Sequence, residues 1–289
     1  MRSKLRILLL GAIVALIAGA CNQSSKDPKL MIEKELNQNW TFNQVGKSEW
    51  LPATVPGTVH TDLMANKKIE DPFYRLNEHD VQWIDKKDWE YKTVFTVDDS
   101  FLNRDRVVLD FKGLDTYADV SVNGEKVLSA DNMFREWQVD VKDYLKEGNN
   151  ELLIVFRSPI IEGIKKYDKQ GYVIPVSDND LAEIGQVEGN KKVSIYTRKA
   201  GYHFGWDWGP RLVTSGIWRP VYLRAWDKAE ISDLQIVQHE VNDDKATFTA
   251  VFEIDAQKKG KANLSIVNDG TTLATSSISL VPGVSTYSL

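Results

Sequence analysis

Apolar and polar residues alternate with a period of two through much of the chain. Trp89 to Val97 reads WEYKTVFTV, Arg106 to Phe111 reads RVVLDF, and Tyr117 to Val122 reads YADVSV. Glu136 to Val141 (EWQVDV), Glu151 to Phe156 (ELLIVF) and Trp218 to Trp226 (WRPVYLRAW) continue the series. Successive side chains of a strand point to opposite faces, so such runs, rich in β-branched and aromatic residues, predict half-buried strands. Asn123-Gly124 separates two of them and predicts a tight hairpin, because a type I′ turn needs positive φ at both central residues. Only two segments read as helical. Thr58 to Asn66 (TVHTDLMAN) has room for two turns, and Ser158-Pro159 opens a helix running through Tyr167. Proline suits a first turn, where its missing N–H has no partner to lose. The pattern predicts an all-β fold, a jelly-roll β-sandwich over residues 30–226.

Near Asp227 the character changes. Aromatic residues become sparse and plain alternation takes over: Leu234, Ile236 and Val241, then Phe248, Ala250, Phe252 and Ile254, then Leu264 and Ile266, then Ile278 and Leu280. Residues 227–289 read as the opening four or five strands of an immunoglobulin-like sandwich, an architecture that takes about 100 residues and seven strands. An incomplete sandwich leaves an apolar face and a strand edge open. The expectation is therefore that this chain is the front end of a longer polypeptide.

The first twenty residues have a separate logic. Arg2, Lys4 and Arg6 precede an apolar run from Ile7 to Ala20. Fourteen residues at about 1.5 Å each fall short of a hydrocarbon core of roughly 30 Å, so residues 1–20 read as an export signal and not as a membrane anchor. The run ends in Ala18-Gly19-Ala20-Cys21, and Cys21 is the only cysteine in the chain. This resembles a bacterial lipobox, with Ala18 where leucine is usual, and it makes Cys21 the expected lipidation site. Ordinary cleavage after Ala20, leaving a free thiol, is the alternative. Asn22 to Lys29 is polar, so residues 21–29 read as a tether. The expected location is outside the cytoplasm, in the periplasm or at the outer membrane, held there by the lipid alone.

Composition narrows the remaining classes. The chain has a formal net charge of −5, falling to −8 once the three N-terminal cations are removed, and no other basic block. That argues against nucleic acid as a partner. One cysteine rules out an intramolecular disulfide, and His60, His79, His203 and His239 have no metal-ligand spacing. No metal or cofactor is expected: phosphate-binding glycine loops and the GxSxG elbow are both missing. What stands out is the aromatic content, with 9 Trp, 10 Tyr and 10 Phe.

The aromatics concentrate in Gly201 to Pro210, GYHFGWDWGP. Tyr202, Phe204, Trp206 and Trp208 alternate, so an extended backbone would align all four rings. Gly201, Gly205 and Gly209 weaken a regular strand and favour a kinked loop. Asp207 lies between two indoles. Such a wall suits a sugar, whose apolar C–H face can lie on an indole while its hydroxyls donate to a carboxylate. The alternative is a core strand whose Asp207 is tied to Arg198 or Arg211. Trp83 and Trp89 read as core residues. Val55-Pro56-Gly57-Thr58 reads as a turn, and Asp71-Pro72-Phe73-Tyr74 as a turn with aromatic packing.

Six ordered segments together resemble the N-terminal region of β-mannosidases of glycoside hydrolase family 2. They are VPGTVHTDL (Val55–Leu63), DPFYRLNEHDVQWIDKKDWEYKTVF (Asp71–Phe95), GLDTYADVSVNG (Gly113–Gly124), FREWQVDV (Phe134–Val141), RKAGYHFGWDWGPRL (Arg198–Leu212) and GIWRPVYL (Gly216–Leu223). Exo-glucosaminidases share part of the first two. The resemblance implies a galactose-binding-like jelly roll, an immunoglobulin-like domain and then a (β/α)₈ barrel. It also implies retaining hydrolysis of terminal non-reducing β-D-mannose by two barrel glutamates about 5–5.5 Å apart. Neither glutamate is expected in this chain, which would be inactive alone, with β-mannosides or manno-oligosaccharides as ligands and the barrel as its structural partner. The GWDWGP loop is implied to reach the sugar pocket, with Trp206 lining it, Asp207 accepting from remote hydroxyls, and Trp208 and Arg211 supporting the loop. A self-sufficient, non-catalytic carbohydrate-binding lipoprotein is the competing expectation.

Overall fold

A computed structural model describes residues 31–289. The export signal, the lipidation site at Cys21 and the tether therefore lie outside the described residues. Ten strands form the first part: β1 (Met31–Glu35), β2 (Thr41–Gln44), β3 (Leu51–Pro52), β4 (Trp89–Val97), β5 (Arg106–Phe111), β6 (Tyr117–Val122), β7 (Glu125–Ala130), β8 (Trp137–Asp140), β9 (Gly148–Arg157) and β10 (Val221–Trp226). They make two antiparallel sheets, one ordered β1-β10-β5-β8 and the other β3-β2-β4-β9-β6-β7. In β4 the odd-numbered residues from Trp89 to Val97 are all buried and the even ones are not, which is the period-two expectation. Val107, Leu109, Phe111 and Leu223 of one sheet join Phe42, Tyr91, Ile154 and Phe156 of the other in one core. Asn123 and Gly124 turn the β6–β7 hairpin with φ of 51° and 89°.

Both helical readings are present. Val59–Ala65 (α1) is capped by Thr58, whose hydroxyl accepts from the Thr61 N–H. The short Asp99–Leu102 (α2) follows β4, and Pro159–Gln170 (α3) begins with Ser158 as cap and proline in its first turn. Trp89 is buried as expected, but Trp83 is 40% exposed. Its indole lies over Trp89 at a centroid separation of 5.9 Å, an outer layer and not a core position.

Between α3 and β10 the chain runs from Gly171 to Pro220 with only short 3-10 turns. This excursion has its own small core, in which Ile160, Ala182, Val187, Val193, Phe204 and Val213 are buried together. It carries the aromatic loop.

Beyond Asp227 come β11 (Ala229–Val241), β12 (Ala246–Ala256), β13 (Gly260–Asn268), β14 (Thr271–Leu280) and β15 (Gly283–Ser288). They pair as β11-β12-β15 and β13-β14, around buried Ala250, Phe252, Ile254, Leu264 and Leu280. Ile231, Leu234 and Ile236 lie directly across from Ile254, Phe252 and Ala250, yet each is about half exposed. The apolar face of this small sandwich is thus left open along β11. Arg106 reaches Asp255 at 2.5 Å and Lys258 reaches Asp105 at 2.6 Å, joining these strands to the loop before β5 and to β5 itself.

Candidate functional site: an aromatic cleft

A cleft of about 530 Å³ opens beside the loop, walled by Phe73, Tyr202, Trp206, Trp208, Pro210 and Leu212, with His203 and Thr214 also in its lining. The four rings are not aligned. A 3-10 turn over Gly201–Phe204 sends Phe204 into the small core, while Tyr202, Trp206 and Trp208 remain exposed. The alternation in the sequence is therefore read by a kinked loop and not by a strand. Gly205 makes the kink possible: its φ is +126°, and a Cβ there would sit 2.5 Å from Leu181 Cγ and 2.7 Å from the Asn179 carbonyl oxygen. Gly201 and Gly209 have no such restriction, since a Cβ meets nothing within 4 Å at the first and only ordinary contact at the second. Trp206 and Gly209 bridge the loop tip, and the two indoles meet edge to face at 5.5 Å.

Asp207 sits at that tip, exposed, with neither expected arginine as its partner. Arg211 is almost fully buried and pairs instead with Asp85 at 2.5 Å and Gln82 Oε1 at 2.6 Å. Its backbone N–H donates to Glu78 at 2.7 Å, and its carbonyl accepts from Gln82 at 2.9 Å. Arg211 therefore fastens the end of the loop to the turns at Asn77–Val81 and Ile84–Lys86. Trp208, expected as a brace, is 81% exposed and forms cleft wall alongside Trp206, because the tight turn at the tip turns both indoles outward. Asp207 itself does not line the cleft. It lies at the rim, facing solvent.

Three participants were invisible to the sequence reading. Phe73, read as packing in its turn, is 72% exposed and contributes to the wall. His203 and Thr214 also line the cleft, and Thr214 Oγ1 is 2.9 Å from His203 Nδ1 and 2.7 Å from Asp115 Oδ2. Asp115 is fully buried and salt-linked to Lys199, which is equally buried. Burial first, and the nearby Lys199 ammonium second, hold His203 down at about 4. The same two causes hold His60 at about 3. No signal beyond the position of His203 inside the aromatic motif marked this network. Among the described residues no cluster of three His, Cys, Asp or Glu side chains is arranged to hold a metal.

Residues 40–219 match the model of the glycosyl hydrolase 2 galactose-binding domain-like family. The chain belongs to that family. It is 36% identical over 260 residues to beta-mannosidase B of Thermothelomyces thermophilus, covering 88% of this chain and 28% of that protein. Identity to beta-mannosidase B of Emericella nidulans is 37% over 233 residues, covering 78% and 26%. The crystal structure of a beta-D-mannosidase from Dictyoglomus thermophilum superposes with a TM-score of 0.76 at 33% identity, over 89% of this chain and 31% of that one. An exo-chitosanase from Amycolatopsis orientalis shares the fold, with a TM-score of 0.65 at 20% identity. The chain thus spans between a quarter and a third of the length of the β-mannosidases it matches. Within the glycosyl hydrolase 2 family, the match extends to both sheets of the jelly roll and to the aromatic excursion.

Proposed function

We propose that this chain is the front section of an exo-acting β-mannosidase, one that hydrolyses terminal non-reducing β-D-mannose with retention, and that its aromatic loop shapes the sugar pocket. The observation that carries the reading is the aromatic cleft itself: two outward indoles, with a carboxylate at the rim that has no partner among the described residues, on a loop fastened from behind by a buried ion pair. Exposed tryptophans at a folded surface are costly unless something covers them, and a pyranose face fits an indole. The identity to β-mannosidases supports mannose as the sugar.

In this reading the loop binds but does not cut. The two carboxylic acids of retaining hydrolysis belong to a barrel domain outside this chain, one as acid/base and one as nucleophile. Contacts to hydroxyls remote from the scissile bond hold the sugar so that binding energy lowers the barrier at the reacting carbon. Asp207 is the acceptor for such hydroxyls, and Trp206 is the platform. Export and lipidation at Cys21 complete the proposal, supported by the basic, apolar and small-residue order of the first 21 residues.

The test is an assay of the 289-residue product on an aryl β-mannoside. The expected result is no turnover. Turnover abolished by a substitution within this chain would overturn the assignment of chemistry to another domain. Calorimetry with manno-oligosaccharides on the same product separates a free-standing binding module, which binds at millimolar or tighter, from a loop that works only against a barrel.

A further inference from the structure

We propose that the groove around Trp83 is a second oligosaccharide-binding site, one that holds a polysaccharide chain away from the aromatic cleft and takes no part in cleavage. The choice of a manno-oligosaccharide as its ligand rests on the reading of the cleft as a sugar site. The groove itself stands on separate residues.

Two cavities meet at Trp83. The larger, of about 470 Å³, is lined by Asn43 and Gln44 of β2, by Lys47, Ser48 and Glu49 of the β2–β3 loop, and by Trp89. The smaller, of about 220 Å³, is lined by Glu70, Asn77, Asp80 and Val81. Trp83 and Lys68 belong to both, so the cavities adjoin, and neither shares a lining residue with the aromatic cleft. The larger alone falls within the range of roughly 300–1,000 Å³ typical of small-molecule sites. Trp83, 40% exposed, rests on Trp89, which is 3% exposed. Trp89 is held in turn by its own Nε1, which donates to the Ile84 carbonyl at 3.0 Å, and by the Phe42 ring at 6.0 Å. An exposed indole on a fixed base is a platform that loses little freedom when a ring lies on it.

Beside this platform stands a fixed acceptor. Asn43 Nδ2 donates to the Lys47 carbonyl at 2.5 Å and to Glu90 Oε1 at 3.3 Å. Both partners can only accept, so the amide nitrogen faces them and its two protons are spent. The amide oxygen receives no donor among the described residues, although Asn43 is only 3% exposed, and it is not sealed from solvent. It is an acceptor that a ligand hydroxyl can meet. The charges of the two linings nearly cancel, Lys47 and Lys68 against Glu49, Glu70 and Asp80, with Lys68 paired to Glu49 at 2.7 Å. An ionic ligand therefore finds no strong net field here. A hexose, with an apolar C–H face for the indole and hydroxyls for the amide, matches both features. Phe73 of the aromatic cleft and Trp83 are ten positions apart in sequence, which bounds their separation at about 35 Å. A polysaccharide held at the groove thus stays concentrated near the cleft.

The experiment uses the full chain, uniformly ¹⁵N-labelled, with tryptophan indole and asparagine side-chain amide signals followed by ¹H–¹⁵N NMR as β-1,4-mannohexaose is added. The Trp83 indole and Asn43 amide signals are expected to move together at millimolar ligand, with the same midpoint in the wild type and in Asp207→Ala. Trp206 and Trp208 moving while Trp83 and Asn43 stay still overturns the groove and leaves the cleft reading intact. Trp83 and Asn43 moving while Trp206 and Trp208 stay still upholds the groove and overturns the cleft reading. All four unmoved overturns both. Trp83→Ala is expected to weaken binding read at Asn43 by about tenfold, with the free Asn43 signal in its wild-type place as the check on folding. Gln44→Ala, which leaves both indoles in position, is expected to weaken binding read at Trp83 by about threefold. An unchanged midpoint in these two variants overturns the assignment of the groove.

Discussion

Arg211 Nη1 lies 2.5 Å from Asp85 Oδ2, with both side chains at most 2% exposed. A buried pair of this kind is costly to form but far more costly to split. Asp85→Asn or Asp85→Ala leaves a guanidinium uncompensated in the interior, and its Nε and Nη2 already have no partner. The expected loss is about 3–5 kcal/mol of unfolding free energy, measured by urea denaturation. Arg211→Met combined with Asp85→Leu is expected to recover most of it. A double variant no more stable than Asp85→Ala would contradict this account of the pair.

Asp207 and Trp208 present the opposite case. Both are exposed, and Asp207 makes no ion pair or hydrogen bond in the described structure. Asp207→Ala and Trp208→Ala should each change stability by no more than about 0.5 kcal/mol. In the full-length β-mannosidase proposed above, Asp207→Ala is expected to lower kcat/KM by at least tenfold, about 1.4 kcal/mol, as the proposed contact of Asp207 with sugar hydroxyls requires. Steady-state kinetics beside a melting curve checks both halves.

Glycine is required at one of three positions in the loop. Gly205→Ala places a methyl group 2.5 Å from Leu181 Cγ on a backbone with φ of +126°. The expected cost is at least about 1–3 kcal/mol, with loss of whatever sugar binding the loop provides. Gly201→Ala and Gly209→Ala should be nearly silent in the same thermal-melt experiment.

Acid should weaken the fold in a defined window. The His60 and His203 values of about 3 and 4 lie below the ordinary histidine value of 6.5, so the unfolded chain takes up their protons first as pH falls. Their contribution to stability is full above pH 6.5 and is lost towards pH 4. Asp62, raised to about 6 chiefly by burial, acts in the other direction: the folded state binds its proton first. Near pH 5 two histidines oppose one carboxyl, and the net is about one proton, or about 1.4 kcal/mol lost per pH unit. His60→Leu should flatten that slope towards zero, whatever it does to stability at pH 7. Urea titrations at half-unit steps from pH 6.5 to 4 measure it.

The strands of the jelly roll were legible because alternation is a local property. The runs at Trp89–Val97, Arg106–Phe111 and Tyr117–Val122 coincide with β4, β5 and β6, the helices read after Thr58 and Ser158 are α1 and α3, and Asn123-Gly124 makes the expected hairpin turn. Trp83 was misplaced because an indole that covers another indole looks the same in sequence as one beneath it. The GWDWGP segment announced an aromatic site with a carboxylate, but it did not say which rings face outward.

Sequence by itself determined the all-β class and the position of the aromatic loop, since each depends on residues within a few positions of one another. Tertiary structure alone decided that Arg211 answers to Asp85 and not to Asp207, and that Phe204 turns inward. It alone joined His203 to Thr214, Asp115 and Lys199. These are contacts across as many as 126 positions, settled by which buried polar atoms can satisfy one another once two sheets and an irregular excursion have closed around them.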